Sequence, residues 1–164
     1  MRLNLGACDD RRPGFINVDR WVPPQYRGDS GYYEWDLSVH PWPWPDSSIE
    51  EIFARDVFEH LQQKIATMNE SYRVLQPGGH LRLIVPTVHG WGAFQDPTHL
   101  SFWTPNDLKY YTTGSPERIR FAQAYGITAA FRLVRPAEHY RVSDKIQGGD
   151  PNVWYLDALL EAVK

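Results

Sequence analysis

The sequence predicts an α/β architecture: a mostly parallel sheet of about six or seven strands, helices on both faces, and a shortened first crossover helix. Three observations carry this expectation. The stretch RLNLGACDDRRPGFINVD, residues 2–19, reads as a short apolar strand (Leu3, Leu5), a tight turn at Gly6 and a polar loop, followed by a second apolar strand (Phe15, Ile16, Val18) closed by Asp19. Leu61, Ile65, Met68, Tyr72 and Leu75 recur at alternating spacings of four and three, the stripe of an amphipathic helix. That helix, a Pro77-Gly78-Gly79 turn and an apolar strand through Leu81, Leu83, Ile84 and Val85 form a crossover long enough for parallel pairing.

With 164 residues the chain is sized for one domain, expected to span 1–164. The net charge of −3 offers no basic surface for nucleic acid or an anionic membrane. Cys8 is the single cysteine, so an internal disulfide is excluded and a reducing, cytoplasmic setting is expected. No apolar run approaches the roughly 18 residues of a membrane span, and the N-terminus, which begins directly on a strand, shows no hydrophobic signal core. Seven Trp and nine Tyr are more than a small domain can leave idle on its surface, so many should be buried or line a pocket.

In chain order, Gly6 to Gly14 is too short for a full helix and contains Pro13. Either this crossover is abbreviated or the first two strands are not parallel neighbours; the expectation adopted is abbreviation. Residues 21–31 are rich in Pro and Gly and read as a loop, and YYEWDL, residues 32–37, as a third strand ending at Asp36. The segment 41–45, PWPWP, must be extended and stiff, its tryptophans packing on the core or covering a planar ligand. Ile49, Ile52, Phe53 and Ala54 make a fourth strand, whose exit carries Asp56, Glu59 and His60; the structural alternative for the last two is the start of the next helix. TVHGWGAFQDPTHLSFW, residues 87–103, is a loop dense in functional groups that follows another strand exit. Helix starts are expected at Thr104-Pro105 and Ser115-Pro116, further strands near 131–134 and 139–142, and a last short helix over 154–163.

These placements gather reactive groups at the carboxyl ends of parallel strands, where open α/β sheets bind ligands. Gly6 permits close backbone approach, Asp19 can accept both hydroxyls of a ribose, and Asp36 lies within reach of an adenine amino group or serves as a turn cap. A nucleoside-containing cofactor across neighbouring strand ends is the expectation.

With these residues laid out, the chain resembles the class I S-adenosylmethionine-dependent methyltransferases, in particular their small branch related to ubiquinone and sugar-pathway enzymes. The resemblance rests on LNLGACDDRRPGFINVD, DLSVHPWPWPDSSIEEIFARDVFEHL, MNESYRVLQPGGHLRLIVP and DPTHLSFWTP, which together span about residues 2–105. It implies a Rossmann-like fold and S-adenosyl-L-methionine as cofactor, with Gly6, Ala7 and Cys8 along the methionine portion and Asp19 on the ribose. Asp36 and Leu37 would lie at the adenine, and Asp56 and Val57 would border the methyl group. The chain departs from the family in carrying Cys8 where a second Gly is usual, in its short first crossover, and in lacking N-terminal lid helices. The last departure leaves the substrate site either more open or closed by a partner subunit, as in a homodimer. The implied activity is methyl transfer to a small-molecule acceptor. The alternative is a non-catalytic subunit of the same fold with weakened cofactor binding.

Displacement at a sulfonium needs alignment and, for some acceptors, one base. His99, His89 and His60 are the candidates. His99 stands first because Asp96, three residues earlier, could orient it; the alternative is that the pair only pins its loop. The spacing of Asp96, His99 and His89 matches no strong zinc pattern and there is no Cys pair, so no metal is expected. A nicotinamide fingerprint is excluded because Cys8 and Arg11 occupy positions that require Gly, and Asp19 comes too soon after the turn.

Overall fold

The computed structural model describes residues 1–164. Its strands are β1 (Arg2–Leu5), β2 (Ile16–Asp19), β3 (Tyr32–Glu34), β4 (Ile49–Arg55), β5 (Leu75–Pro86), β6 (Phe131–Leu133), β7 (Glu138–Arg141) and β8 (Trp154–Ala162). Its longer helices are α1 (Lys64–Val74) and α2 (Pro116–Phe121). All eight strands share one sheet of order β3-β2-β1-β4-β5-β8-β6, with β7 beside β6 along the outer edge of β8. Strands β1 to β5 pair in parallel and β8 runs antiparallel to its neighbours. This is the expected Rossmann-like, mostly parallel sheet with an antiparallel margin.

The parallel registers set Leu5 beside both Val18 and Ala54, and Asp19 beside Glu34. The exits of β1, β2, β3 and β4 therefore fall on one rim. The β1–β2 crossover is indeed abbreviated: residues 6–15 contain only turns, and the parallel neighbours still form.

Alternation along the strands sorts two faces. Leu3, Leu5, Ile52, Ala54, Leu81, Leu83, Val85, Leu156, Ala158 and Leu160 project to one side, each at most 1% exposed. They join Met68 and Val74 of α1 with Trp42, Trp44, Trp103 and Leu108 in one core of 29 buried residues. The other face carries Arg2, Phe53, Arg82, Asp157 and Glu161. There the Arg12 guanidinium lies 3.4 Å from the centre of the Phe53 ring, Arg82 pairs with Asp157 at 2.8 Å, and Arg132 pairs with Glu161 at 2.7 Å. Helices were expected on both faces, but none forms between β1 and β2, and the β2–β3 link holds a single short turn, Pro24–Tyr26. Pro13, Gly14, Pro23, Pro24 and Gly28 break up both connections, so neither crossover supplies a helix of regular length.

One expected element is of the wrong type. Residues 154–163 were expected as a helix and form β8, the strand that joins β5 to β6 and β7. Leu, Ala and Glu favour a helix locally. The alternation Leu156-Ala158-Leu160-Ala162, however, is a period of two, and it fills an inner sheet position where burial decides. The helix expected from Thr104 is a run of tighter turns over Pro105–Tyr110, with Thr104 and Asp107 forming a capping box. Pro77-Gly78-Gly79 does not itself end α1: the helix stops at Val74, Leu75 is already extended, and the PGG turn makes a bulge in β5 opposite Ile49–Glu51.

The PWPWP segment was expected to be extended; it joins no helix or strand but bends at Pro41, Pro43 and Trp44, and both tryptophans take the core alternative, Trp42 at 2% and Trp44 at 7% exposure. Glu70 and Arg73 of α1 hold it: Glu70 Oε2 accepts the Trp42 N–H at 2.6 Å, and Arg73 donates to the Trp42 and Trp44 carbonyls at 3.0 Å each.

Candidate functional site

The rim of strand exits bounds a groove of about 360 Å³ lined by Gly6, Cys8, Asp19, Asp36, Leu37, Asp56, Val57 and His60, among others. That is within the usual range for small-molecule sites. Of the residues expected at the cofactor, only Ala7 stands apart; its side chain is buried beneath the turn, with 1% exposure.

The floor of the groove is built by close approach. Gly6 has φ +66°, and a β-carbon there would sit 2.6 Å from Val57 Cβ. No other residue fits without moving the β4 exit. Gly6→Ala is therefore expected to cost about 2 kcal/mol, part from left-handed backbone strain and part from the overlap. Adding Val57→Ala removes the two γ carbons at 2.7 and 3.3 Å but keeps the β-carbon at 2.6 Å, so it should recover only a fraction of the overlap part in urea unfolding.

Cys8 follows at φ +36°, also left-handed and unusual for a side chain with a β-carbon. Its strained turn is held from both sides: Asp19 Oδ2 accepts the Cys8 N–H at 2.9 Å, and the Tyr32 hydroxyl donates to the Cys8 carbonyl at 2.9 Å. Asp19 Oδ1 accepts the Trp21 N–H at 3.0 Å, so this carboxylate joins the β1 turn to the loop after β2. Asp36 accepts the Ser38 N–H through Oδ1 at 2.9 Å, which is the turn cap foreseen as its alternative role, while Oδ2 makes no protein hydrogen bond. Asp56, at φ +52°, turns the chain out of β4.

Beside the groove, and sharing Asp56 and His60 with it, lies a smaller hollow of about 190 Å³ that also takes in Glu59, Asp96, His99 and Tyr155. Two hydrogen bonds dock the 96–103 loop on the turn after β4, since Glu59 O accepts the N–H groups of Leu100 (2.8 Å) and Ser101 (2.9 Å). His99 Nδ1 faces the Ala93 carbonyl at 2.9 Å, so it carries the proton and Nε2 is an acceptor. Nε2 stands 4.0 Å from both Glu59 Oε1 and Asp96 Oδ2. The bond that orients His99 is thus to Ala93, while Asp96 Oδ1 instead accepts the Thr98 N–H and hydroxyl at 2.8 and 2.7 Å. Those two bonds hold the Asp96 carboxyl below its usual range, aided by the charges of His99 and His60 when protonated. His60 Nδ1 lies 3.3 Å from Thr98 O and 3.0 Å from Thr98 Oγ1; the carbonyl requires a donor, leaving Nε2 of His60 as an acceptor too.

Glu59 is 2% exposed, and its Oε2 has no hydrogen-bond partner. Burial pushes its carboxyl up to about 8, with its own backbone N–H pulling the other way and the charges of Asp56 and Asp96 adding to the rise. Burial also raises Tyr155, and so does the neighbouring Asp56. Glu59 and Tyr155 were not among the expected site residues. For Glu59 a signal existed in the sequence, a carboxylate set between Phe58 and Leu61 in an apolar run; for Tyr155 there was none, because its strand was read as a helix. His89 lies elsewhere, edge-on to His139 with ring centres 4.4 Å apart.

Comparisons with known proteins agree with this layout. Residues 29–83 match a family model described as a methyltransferase domain. No curated protein matches the sequence. Among solved structures, the chain is similar to one in the complex between the Haloferax volcanii Trm112 methyltransferase activator and a methyltransferase, with TM-score 0.62 and 14% identity over 99% of this chain and 82% of that one. It is similar also to the Bacillus subtilis YcgJ protein, with TM-score 0.63 and 13% identity over 99% and 92%. A third is the Burkholderia thailandensis 1,6-didemethyltoxoflavin-N1-methyltransferase with bound S-adenosylhomocysteine, with TM-score 0.62 and 13% identity over 99% and 71%. Sheet order, rim groove and the match over residues 29–83 together give this chain the architecture of the class I S-adenosylmethionine-dependent methyltransferases.

Proposed function

We propose that the chain, acting as a single domain over residues 1–164, binds S-adenosyl-L-methionine in the rim groove and transfers its methyl group to a small-molecule acceptor. The observation that carries this reading is the convergence of Gly6, Asp19 and Asp36 on one groove at the strand exits. The structural neighbour with bound S-adenosylhomocysteine supports the choice of cofactor. Asp19 accepts the ribose hydroxyls, Asp36 Oδ2 takes the adenine amino group, and the Gly6–Cys8 turn runs along the methionine portion. The acceptor's nucleophilic atom attacks the methyl carbon; the carbon–sulfur bond breaks and its electron pair stays on sulfur. Alignment is most of the catalysis, and a proton on the acceptor goes to the His60–His99 cluster, where Asp96 fixes Thr98 and Thr98 fixes His60. The single, exposed thiol suits a reducing cytoplasm, and a second copy of the chain would close the open side of the groove. No helix is long and apolar enough to cross a membrane.

Titration calorimetry with S-adenosylmethionine and S-adenosylhomocysteine tests the reading. One site per chain is expected, and ligand at 100 times its dissociation constant should add about 2.7 kcal/mol of stability. No heat and no thermal shift with either compound would instead favour a non-catalytic protein of this fold.

Cys8 allows a second check. Iodoacetamide should alkylate the free thiol, and saturating S-adenosylhomocysteine should slow that reaction at least about tenfold by covering the turn. Cys8→Gly should relieve the φ +36° backbone. Because Gly is freer in the unfolded chain, the net gain should be only about 0.5–1 kcal/mol. An undiminished alkylation rate would move the cofactor out of this groove.

A further inference from the structure

Glu59, His60 and His99 each bring one candidate ligand atom to a common point, all within 4.8 Å of one another. Three features separate this cluster from an ordinary polar contact. First, the Glu59 carboxylate is buried and its Oε2 is unpartnered, an arrangement that costs stability unless a further group satisfies it. Second, both imidazoles have their tautomer set from behind: Nδ1 of His99 donates to the Ala93 carbonyl and Nδ1 of His60 to Thr98. Each ring thus keeps an unprotonated Nε2. Fixing the remote ring nitrogen by a carbonyl or hydroxyl acceptor is how metal-binding histidines are oriented. Third, main-chain bonds dock the loop that carries His99 on the turn that carries Glu59 and His60, so the fold itself holds the three side chains together.

Metal bonds of about 2.1 Å place neighbouring ligands roughly 3–3.5 Å apart. The 4.0 Å between His99 Nε2 and Glu59 Oε1 closes to that range with small rotations of the side chains. Asp96 Oδ2, also 4.0 Å from His99 Nε2, stands ready as a fourth oxygen donor. Two imidazoles and a carboxylate suit zinc and its neighbours among the divalent transition metals rather than magnesium or calcium, which prefer oxygen alone. Read along the chain, Asp96, His99 and His89 make no metal pattern. Folding sends His89 to another part of the molecule and supplies Glu59 and His60 in its place.

We propose that Glu59, His60 and His99 bind one divalent transition-metal ion of the zinc class, in a hollow that opens onto the rim groove through His60 and Asp56. Its remaining coordination positions face the groove and take oxygen atoms of the acceptor, so the acceptor class is a chelating small molecule with adjacent hydroxyl or carbonyl oxygens. This second clause rests on the methyl-transfer reading; the metal site does not. With the ion bound both Nε2 atoms are ligands, so an acceptor hydroxyl would lose its proton to solvent, and the His60–His99 cluster serves as the base only in the metal-free chain.

Calorimetric titration of chelator-stripped full-length protein with zinc chloride is the test. One ion per chain is expected, with no heat from magnesium chloride. Glu59→Gln and His99→Ala should each weaken zinc binding at least about 100-fold. Zinc should also protect His60 and His99 of the unmodified protein from diethylpyrocarbonate, a readout independent of whether the variants fold. With Co²⁺ as probe, acetohydroxamate should change the visible bands by occupying the open positions. Absence of a stoichiometric zinc site, or variants that bind zinc like the parent, would overturn the metal assignment. Unchanged Co²⁺ bands with the hydroxamate would overturn the acceptor class alone. S-adenosylhomocysteine titrated into the same preparation reports separately on the cofactor, so failure of either reading is visible by itself.

Discussion

Arg73→Ala is expected to lower the stability of the protein by about 3 kcal/mol, the cost of removing one member of a partly buried, hydrogen-bonded charge network. The guanidinium binds both Glu70 oxygens at 2.8 Å, Asp46 at 2.6 Å and the carbonyls of Trp42 and Trp44 at 3.0 Å. It thereby fastens to α1 a segment that Pro41, Pro43 and Pro45 prevent from joining any strand or helix. Without it, those carbonyls and the Glu70 carboxylate lose their partner while Trp42 and Trp44 must still be held in the core. Urea unfolding measures the loss, and Arg73→Lys, which cannot make the fork of contacts, should fall in between. The network also has a pH signature. Burial alone would raise the Glu70 carboxyl, but the Arg73 hydrogen bond, the Trp42 N–H and the Arg73 charge outweigh it and hold the carboxyl below its ordinary value of 4.5. A depressed carboxyl stabilises the fold above its unfolded value and loses that contribution as pH falls through the folded one. The gap between the parent and Arg73→Ala should therefore narrow as pH drops below about 4.5, and a gap independent of pH would rule the carboxylate out as the main partner.

Asp19→Ala should reduce affinity for S-adenosylhomocysteine at least about 100-fold, roughly 3 kcal/mol for two charge-assisted hydrogen bonds to ribose hydroxyls. The residue also has a structural duty, because its two oxygens accept the Cys8 and Trp21 N–H groups. The variant should therefore lose about 1 kcal/mol of stability as well, limited by the exposure of both donors. Asp19→Asn separates the two effects: one amide oxygen can keep a turn bond, but it cannot serve two hydroxyls and the turn together. Calorimetry on the parent and both variants, with urea midpoints beside it, distinguishes them. If Asp19→Ala binds like the parent, the ribose lies elsewhere.

Much of the sheet was legible in the sequence because β1, β2, β4 and β5 are short apolar runs that end at Gly6, Asp19, Asp56 and Pro86. Parallel pairing then put the acids on one rim without further information. β8 was hidden because its residues favour a helix locally, and only an inner place in the sheet makes its period of two decisive. The cluster around Glu59 was half visible. His99 and Asp96 stand out in DPTH, but only the docking of that loop on the turn after β4 brings Glu59 and His60 to them. No spacing rule within one segment reaches across 40 residues.

The second face of the sheet has one more implication. Parallel sheets ordinarily sit between two oily layers; here, between β1, β4, β5 and β8, one side meets water. Phe53 is shielded by the guanidinium of Arg12 rather than by a helix, and charge pairs such as Arg82–Asp157 stand where a third layer would rest. Arginine suits this place because its flat, weakly hydrated head can lie on an aromatic ring while its edge keeps contact with solvent. The chain thus replaces a whole stratum of secondary structure with a film of long side chains. The groove-bearing margin of this fold can be carried by a plate finished on only one side, provided the reverse is made wettable one residue at a time.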